Sequence, residues 1–193
     1  MTKTLKITLL LGIGIFLFSC SEDIPVPKPP TYLRLDLPDH QYEQFKEVNC
    51  NYSFDFPPLY TISSPDDSKE VSCNKDINLG PLNGMMYFSF IEMDKPLAEY
   101  VNYAINKVDE HKIMATAIED STIIRKDDRV YGTFFELQGD VASPFQFYLT
   151  DSTKHFVSGV VYLNKAPNYD SLRPSLEYLK KDLFRMVQSF KWN

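Results

Sequence analysis

The sequence predicts an α+β domain, an antiparallel β-sheet packed by helices. Three observations predict it. Apolar, aromatic-rich segments follow one another at 130–137, 145–150 and 156–163, parted by short turn-forming stretches, as in an antiparallel meander. The chain then ends in a stripe of Leu172, Leu176, Leu179, Leu183, Met186, Val187 and Phe190, a helix that needs a surface to cover. A second stripe, Leu97, Tyr100, Val101, Ala104, Ile105 and Val108, places another helix over 96–112.

Taken in order, residues 31–49 show no clean period, and Tyr32, Leu33 and Leu35 are expected to add an edge strand. YSFDF at 52–56 alternates in polarity and reads as a short strand. MMYFSFI at 85–91 reads as a central one. Asp94-Lys95-Pro96 is a helix start, an acid beside free backbone N–H groups and then a proline. Residues 114–124 read as extended, and RKDDR at 125–129 as a charged turn. Gly139-Asp140 and DSTK at 151–154 supply the later turns. Asp170 or Ser171 caps the terminal helix, Pro174 sits in its first turn, and Trp192 closes against the sheet edge.

Residues 1–19 have the parts of a signal peptide: Lys3 and Lys6, an apolar run from Ile7 to Phe18, then Leu17-Phe18-Ser19-Cys20. The apolar run would rise only about 18 Å as a helix, short of a hydrocarbon core about 30 Å thick. The last four residues resemble a bacterial lipobox. That resemblance implies cleavage before Cys20, lipidation of its thiol and attachment to a membrane. Residues 20–30 then form a lipid-anchored, Pro-rich spacer, followed by a single α+β domain over 31–193. No Asp directly follows Cys20, and Ser21-Glu22-Asp23 is similar to acidic export signals of Bacteroidota lipoproteins. The outer membrane is the expected location, with the leaflet left open.

The formal charge is −6, and loss of Lys3 and Lys6 leaves 18 basic against 26 acidic side chains, or −8. Such a balance excludes nucleic acid as the expected partner. Lys180, Lys181 and Arg185 read as the wet face of the terminal helix. With Cys20 assigned to lipid, Cys50 and Cys73 remain, and in an exported chain they invite a disulfide; the alternative is two buried thiols.

Residues able to do chemistry are scattered. No GxSxG, HExxH, GxxxxGKS or GxGxxG occurs, and His40, His111 and His155 are isolated in sequence. His155 and Asp151 are expected to be exposed together in a hairpin turn. The pairs Asp66-Asp67, Glu119-Asp120 and Asp127-Asp128 read as solvated surface. The sequence therefore gives no catalytic residue, metal ligand or cofactor, and the chain is expected not to be an enzyme.

PKPPTYLRLDLP (27–38), YGTFFELQGDVASPFQFYLTDSTKHFVSGVVYLNKAPNYDS (131–171) and LEYLKKDLFRMVQSFKW (176–192) resemble the gliding motility lipoprotein GldD family of Bacteroidota. Cys50 and Cys73 also fall where that family carries its cysteines. The resemblance implies a non-catalytic component or assembly factor of the gliding and type IX secretion machinery, with other envelope proteins as partners. The meander and terminal helix are also similar to the α/β/α sandwich of Mog1/PsbP-like domains, a fold analogy that assigns no activity.

Loops between rigid elements commonly carry function. The loops at 138–145 and 164–171 are expected to be exposed, with Asp140, Phe145 and Tyr169 as candidate partner-binding residues. The competing classes are an envelope hydrolase, which needs a cleft where His and acids converge, and a small-ligand-binding lipoprotein, which needs a preformed cavity.

Overall fold

Alternation along the strands decides which face of a sheet each side chain covers, and here it builds two cores of unequal size. The computed structural model describes residues 32, 35–46, 49–65, 72–164 and 169–193. The expectations for residues 1–19, Cys20, the 20–30 spacer, Leu33, Asp66-Asp67 and residues 165–168 lie outside the described residues.

In chain order the elements are β1 (Glu43–Lys46), β2 (Tyr52–Phe56), β3 (Thr61–Ser63), β4 (Lys75–Asn78), a 3-10 turn (Gly80–Leu82) and β5 (Gly84–Glu92). Then come α1 (Leu97–Asp109), β6 (Ala115–Arg125), β7 (Val130–Gly139), β8 (Phe145–Thr150), β9 (His155–Leu163), α2 (Tyr169–Ser189) and β10 (Lys191–Trp192). Seven strands form an antiparallel sheet in the order β3-β4-β5-β9-β8-β7-β6, and β1-β2-β10 form a second, three-stranded one.

One face of the large sheet presents Met86, Phe88, Phe134, Phe147, Leu149, Val157 and Val161. These pack with Leu179, Leu183, Met186 and Val187 of α2 and with Tyr52 and Phe54 of β2. On the opposite face Val108 of α1 packs with Leu137 and Val141, and Tyr100 lies 5.7 Å from the Phe156 ring. The fold is thus α+β, with antiparallel sheets and a helix on either face of the larger one.

Several local expectations are corrected. Residues 35–42 carry no strand; the edge strand lies later, at β1, where it finds β2 as a partner. Asp94 does not cap α1. Pro96 occupies that position without a side-chain bond, and the Asp94 carboxylate accepts the Tyr100 hydroxyl at 2.6 Å. Trp192 pairs with Tyr52 in the small sheet rather than closing the edge of the large one, and its Nε1 donates to the Arg129 carbonyl at 3.1 Å. Lys180 and Arg185 are not merely wet: Lys180 is ion-paired with the buried Glu136, and Arg185 with Asp55.

Cys50 and Cys73 form a disulfide. It spans an irregular region of short strands, where the chain-entropy estimate for such a loop is about 3 kcal/mol.

Candidate functional site

Gly139 sets up the one surface where candidate residues meet. Its φ is +106°, and a Cβ there would stand 2.8 Å from the Thr116 nitrogen and 2.9 Å from the Met114 oxygen. Only glycine tolerates both conditions. The turn after α1 therefore rests directly on the end of β7, and the paired register is shifted between Ala115 and Ala117.

The result is a shallow hollow of about 560 Å³, lined by Ile113, Met114, Thr116, Asp140, Tyr169 and Asp170, with Gly139 at its base. Ile113 is 93% exposed and Met114 58%. Two adjacent apolar side chains left in water at a turn are costly unless something covers them. Asp140 is exposed, and its Oδ1 accepts the Tyr169 backbone N–H at 3.5 Å, where α2 begins. Burial, and then the charge of Glu136, raise the pKa of the half-buried Tyr169 phenol, so it stays neutral. Chemically the surface offers an apolar tip, a phenol and two carboxylates, a set suited to binding.

Asp140 and Tyr169 thus come together, but Phe145 does not join them. Its ring is 1% exposed and packs 5.8 Å from that of Phe134, so it belongs to the core and is no exposed anchor. The 138–145 loop as a whole is less exposed than expected. Val141, Ser143 and Pro144 are buried, because Val141 fills the space beside Val108 and the Leu137 N–H donates back to the Pro144 carbonyl at 2.8 Å.

The structure also makes two His–Asp contacts that sequence reasoning missed or misread. Asp182 of α2, 1% exposed, accepts from His40 Nδ1 at 2.7 Å, from the Tyr42 hydroxyl at 3.0 Å and from the Tyr60 hydroxyl at 2.5 Å. The His40 ring stacks 4.1 Å from that of Tyr178. Burial, reinforced by the bond to Asp182, pushes the Tyr42 phenol up to about 12 and Tyr60 higher still. The only sequence signal was a lone aspartate among the apolar positions of the last helix. No serine, threonine or cysteine is among the bonded partners of this group, and its donors clamp residues 40–42 and 60 onto α2.

The second contact was expected to be exposed. Instead Asp151 is buried. Its Oδ1 accepts the backbone N–H groups of Thr153, Lys154 and His155 at 2.8, 2.8 and 3.0 Å, and its Oδ2 meets His155 Nδ1 at 2.8 Å. Burial alone would raise this carboxyl, but the backbone bonds outweigh it and hold the pKa well below the usual range. The group is the core of a turn. Among the described residues no three His, Cys, Asp or Glu side chains are grouped to hold a metal ion.

A family model described as gliding motility lipoprotein GldD matches residues 22–192. No curated protein sequence matches the chain. Among solved structures, the solution structure of cyanobacterial PsbP (CyanoP) from Synechocystis sp. PCC 6803 superposes with a TM-score of 0.50 at 9% identity, covering 86% of this chain and 100% of that one. At that identity the likeness shows the fold alone.

Proposed function

Because the chain belongs to the family of gliding motility lipoproteins called GldD, we propose that it is a non-catalytic, lipid-anchored component or assembly factor of the gliding motility and type IX secretion machinery. The family match over nearly the whole domain carries the proposal. Lipid on Cys20 would fix one end to a membrane, with the outer membrane favoured, and residues 21–30 would space the domain from it. The tip formed by Ile113 and Met114 beside Asp140 and Tyr169 would then meet another envelope protein. The antiparallel sheets with two helices, and the likeness to the PsbP structure, support reading the domain as an α/β/α sandwich of the Mog1/PsbP-like kind. Among the described residues both His–Asp contacts hold turns and segments in place, which supports a binding role over an envelope hydrolase.

The test is capture of the tagged full-length lipoprotein from envelopes of gliding cells, alongside an Ile113→Asp/Met114→Asp double variant. Gliding or type IX secretion proteins should co-purify with the first and be lost from the second. Equal recovery with both would remove the tip from the proposal, and recovery of no machinery component with either would remove the proposal itself.

A further inference from the structure

An outer strand of a sheet turns one row of backbone N–H and C=O groups away from its neighbour, ready to pair with another chain. Among the described residues three of the four outer strands are short: β3 has three residues, β1 four and β10 two. The fourth, β6, has eleven and closes the β7 end of the large sheet. Long edges are commonly blunted by proline, lysine or a bulge. Residues Ala115–Arg125 include no proline or lysine, and the register shift lies at the strand's start, between Ala115 and Ala117.

The pairing fixes which groups point outward. The Leu137 N–H donates to the Pro144 carbonyl, on the β8 side of β7. Alternation along β7 then turns the backbone groups of Phe134 and Glu136 toward β6, where their partners are Ser121 and Glu119. The backbone groups of Ile118, Asp120, Thr122 and Ile124 fall between these and point away from β7. The side chains of the same four residues share the face on which α1 lies, since Ile118 packs beside Val108 and Leu137. Ile118 is half-buried, Asp120 and Thr122 are exposed, and Ile124 is 62% exposed. Strand addition uses this combination: main-chain bonds give affinity, and alternate side chains give specificity.

Charge decides the occupant. Glu119, on the opposite face, accepts from Gln138 Nε2 at 3.1 Å, which leaves Asp120 as the open carboxylate at the middle of the edge. Pairing all eleven residues with a second copy would set Asp120 directly against Asp120, and like charges so placed are destabilising. The whole chain is acidic as well, at −6. We propose that β6 accepts an extended, basic segment of a partner protein as an eighth strand of the large sheet, with a lysine or arginine opposite Asp120 and an apolar side chain over Ile124. The Ile113–Met114 tip leads directly into this edge, but the inference stands on the edge itself and not on membership of any machinery.

The test titrates the full-length lipoprotein, held in detergent micelles, with a capped peptide of valine and threonine that has two adjacent lysines at its centre. One lysine then reaches the Asp120 face in either strand direction. A second peptide carries glutamates in place of the lysines. Calorimetry should show saturable binding of the basic peptide and binding weaker by about fivefold or more for the acidic one. Amide exchange within 115–125 should slow when the basic peptide is bound. Asp120→Lys should reverse the preference between the peptides. Thr122→Pro removes an outward N–H and spares the bonds to β7, so it should abolish binding. The basic peptide N-methylated on alternate residues cannot complete the ladder and should not bind the wild-type protein, a control that needs no variant to fold. Absence of binding by the basic peptide would overturn the proposal, as would a preference unchanged by Asp120→Lys. Undiminished binding of the N-methylated peptide would overturn it by assigning the affinity to diffuse charge. A dimer in light scattering that Thr122→Pro dissolves would give the edge to a second copy and overturn it too. The peptides are synthetic, so the result is independent of which envelope proteins the tagged lipoprotein captures.

Discussion

Nδ1 of His40 donates to the Asp182 carboxylate at 2.7 Å across 142 residues of sequence. Tyr42 and Tyr60 converge on the same carboxylate, so one acidic side chain gathers donors from two separate segments. Asp182→Ala would leave the buried Tyr60 hydroxyl without an acceptor and free the other two donors. We expect a loss of about 3 kcal/mol, read as a lowered midpoint in urea unfolding. Asp182→Asn keeps one oxygen and should lose about half as much. A midpoint unchanged in both variants would show that the cluster is incidental to stability.

Arg125 closes the end of α2 from another element. Its guanidinium donates to the carbonyls of Val187, Gln188 and Phe190, groups that a helix leaves unsatisfied at its C-terminus. Arg125→Ala should cost about 2 kcal/mol and raise amide exchange over 186–190. Arg125→Lys should restore only part of this, because an ammonium lacks the planar fork that reaches several carbonyls.

Acid should act through Asp151. Its folded pKa is depressed by the three backbone donors, so it stabilises the fold fully above the unfolded carboxylate pKa of about 3.9. That stabilisation is lost as pH falls below this value toward the depressed folded one. The charged or titratable groups beside it are His155 and Arg129, whose Nη2 donates to the Asp151 carbonyl at 3.4 Å. Asp151→Asn should therefore be less stable than wild type at pH 6, with the gap narrowing below about pH 4. A gap independent of pH would contradict this.

Removing the disulfide by Cys50→Ala/Cys73→Ala should cost about 3 kcal/mol, seen as a lower Tm. The same shift should follow from adding reductant to the wild-type protein, and reductant should leave the double variant unchanged.

Gly139→Ala places a Cβ against backbone atoms of Met114 and Thr116 at a φ that L-residues avoid. We expect a loss of about 2 kcal/mol, together with shifted amide resonances through 113–116. Because those residues carry the exposed tip, capture of envelope partners should fall as well.

The longer elements were legible in the sequence because each buries a periodic face. Val130–Gly139, Phe145–Thr150 and His155–Leu163 alternate in polarity or run aromatic, and the stripe of α2 is nearly all buried. Of the short strands, Tyr52–Phe56 was legible by its alternation, and the others were not. Glu43–Lys46 and Lys191–Trp192 are too brief to show a period, and what holds them is pairing with β2 from opposite ends of the domain. Lys75–Asn78 reads as polar yet sits between two strands, with Lys75 itself buried.

The candidate surface was legible in part for a similar reason. Asp140 and Tyr169 flank turns, whereas Phe145 opens a strand, and a residue at a strand's start obeys the pleat of that strand. The Asp182 cluster could not be read at all. Its members lie far apart in the chain, and a lone aspartate on a helix gives no hint of which donors will reach it.

Residues 35–42 also define how force would enter this molecule. Leu35 and Leu37 rest on the core, the Pro38 carbonyl accepts the Tyr178 hydroxyl at 2.9 Å, and His40 and Tyr42 are fastened to Asp182. Tension applied to the chain ahead of Leu35 meets these attachments before it reaches β1. The load spreads along α2, several bonds share it, and the small sheet is shielded from being unzipped one residue at a time.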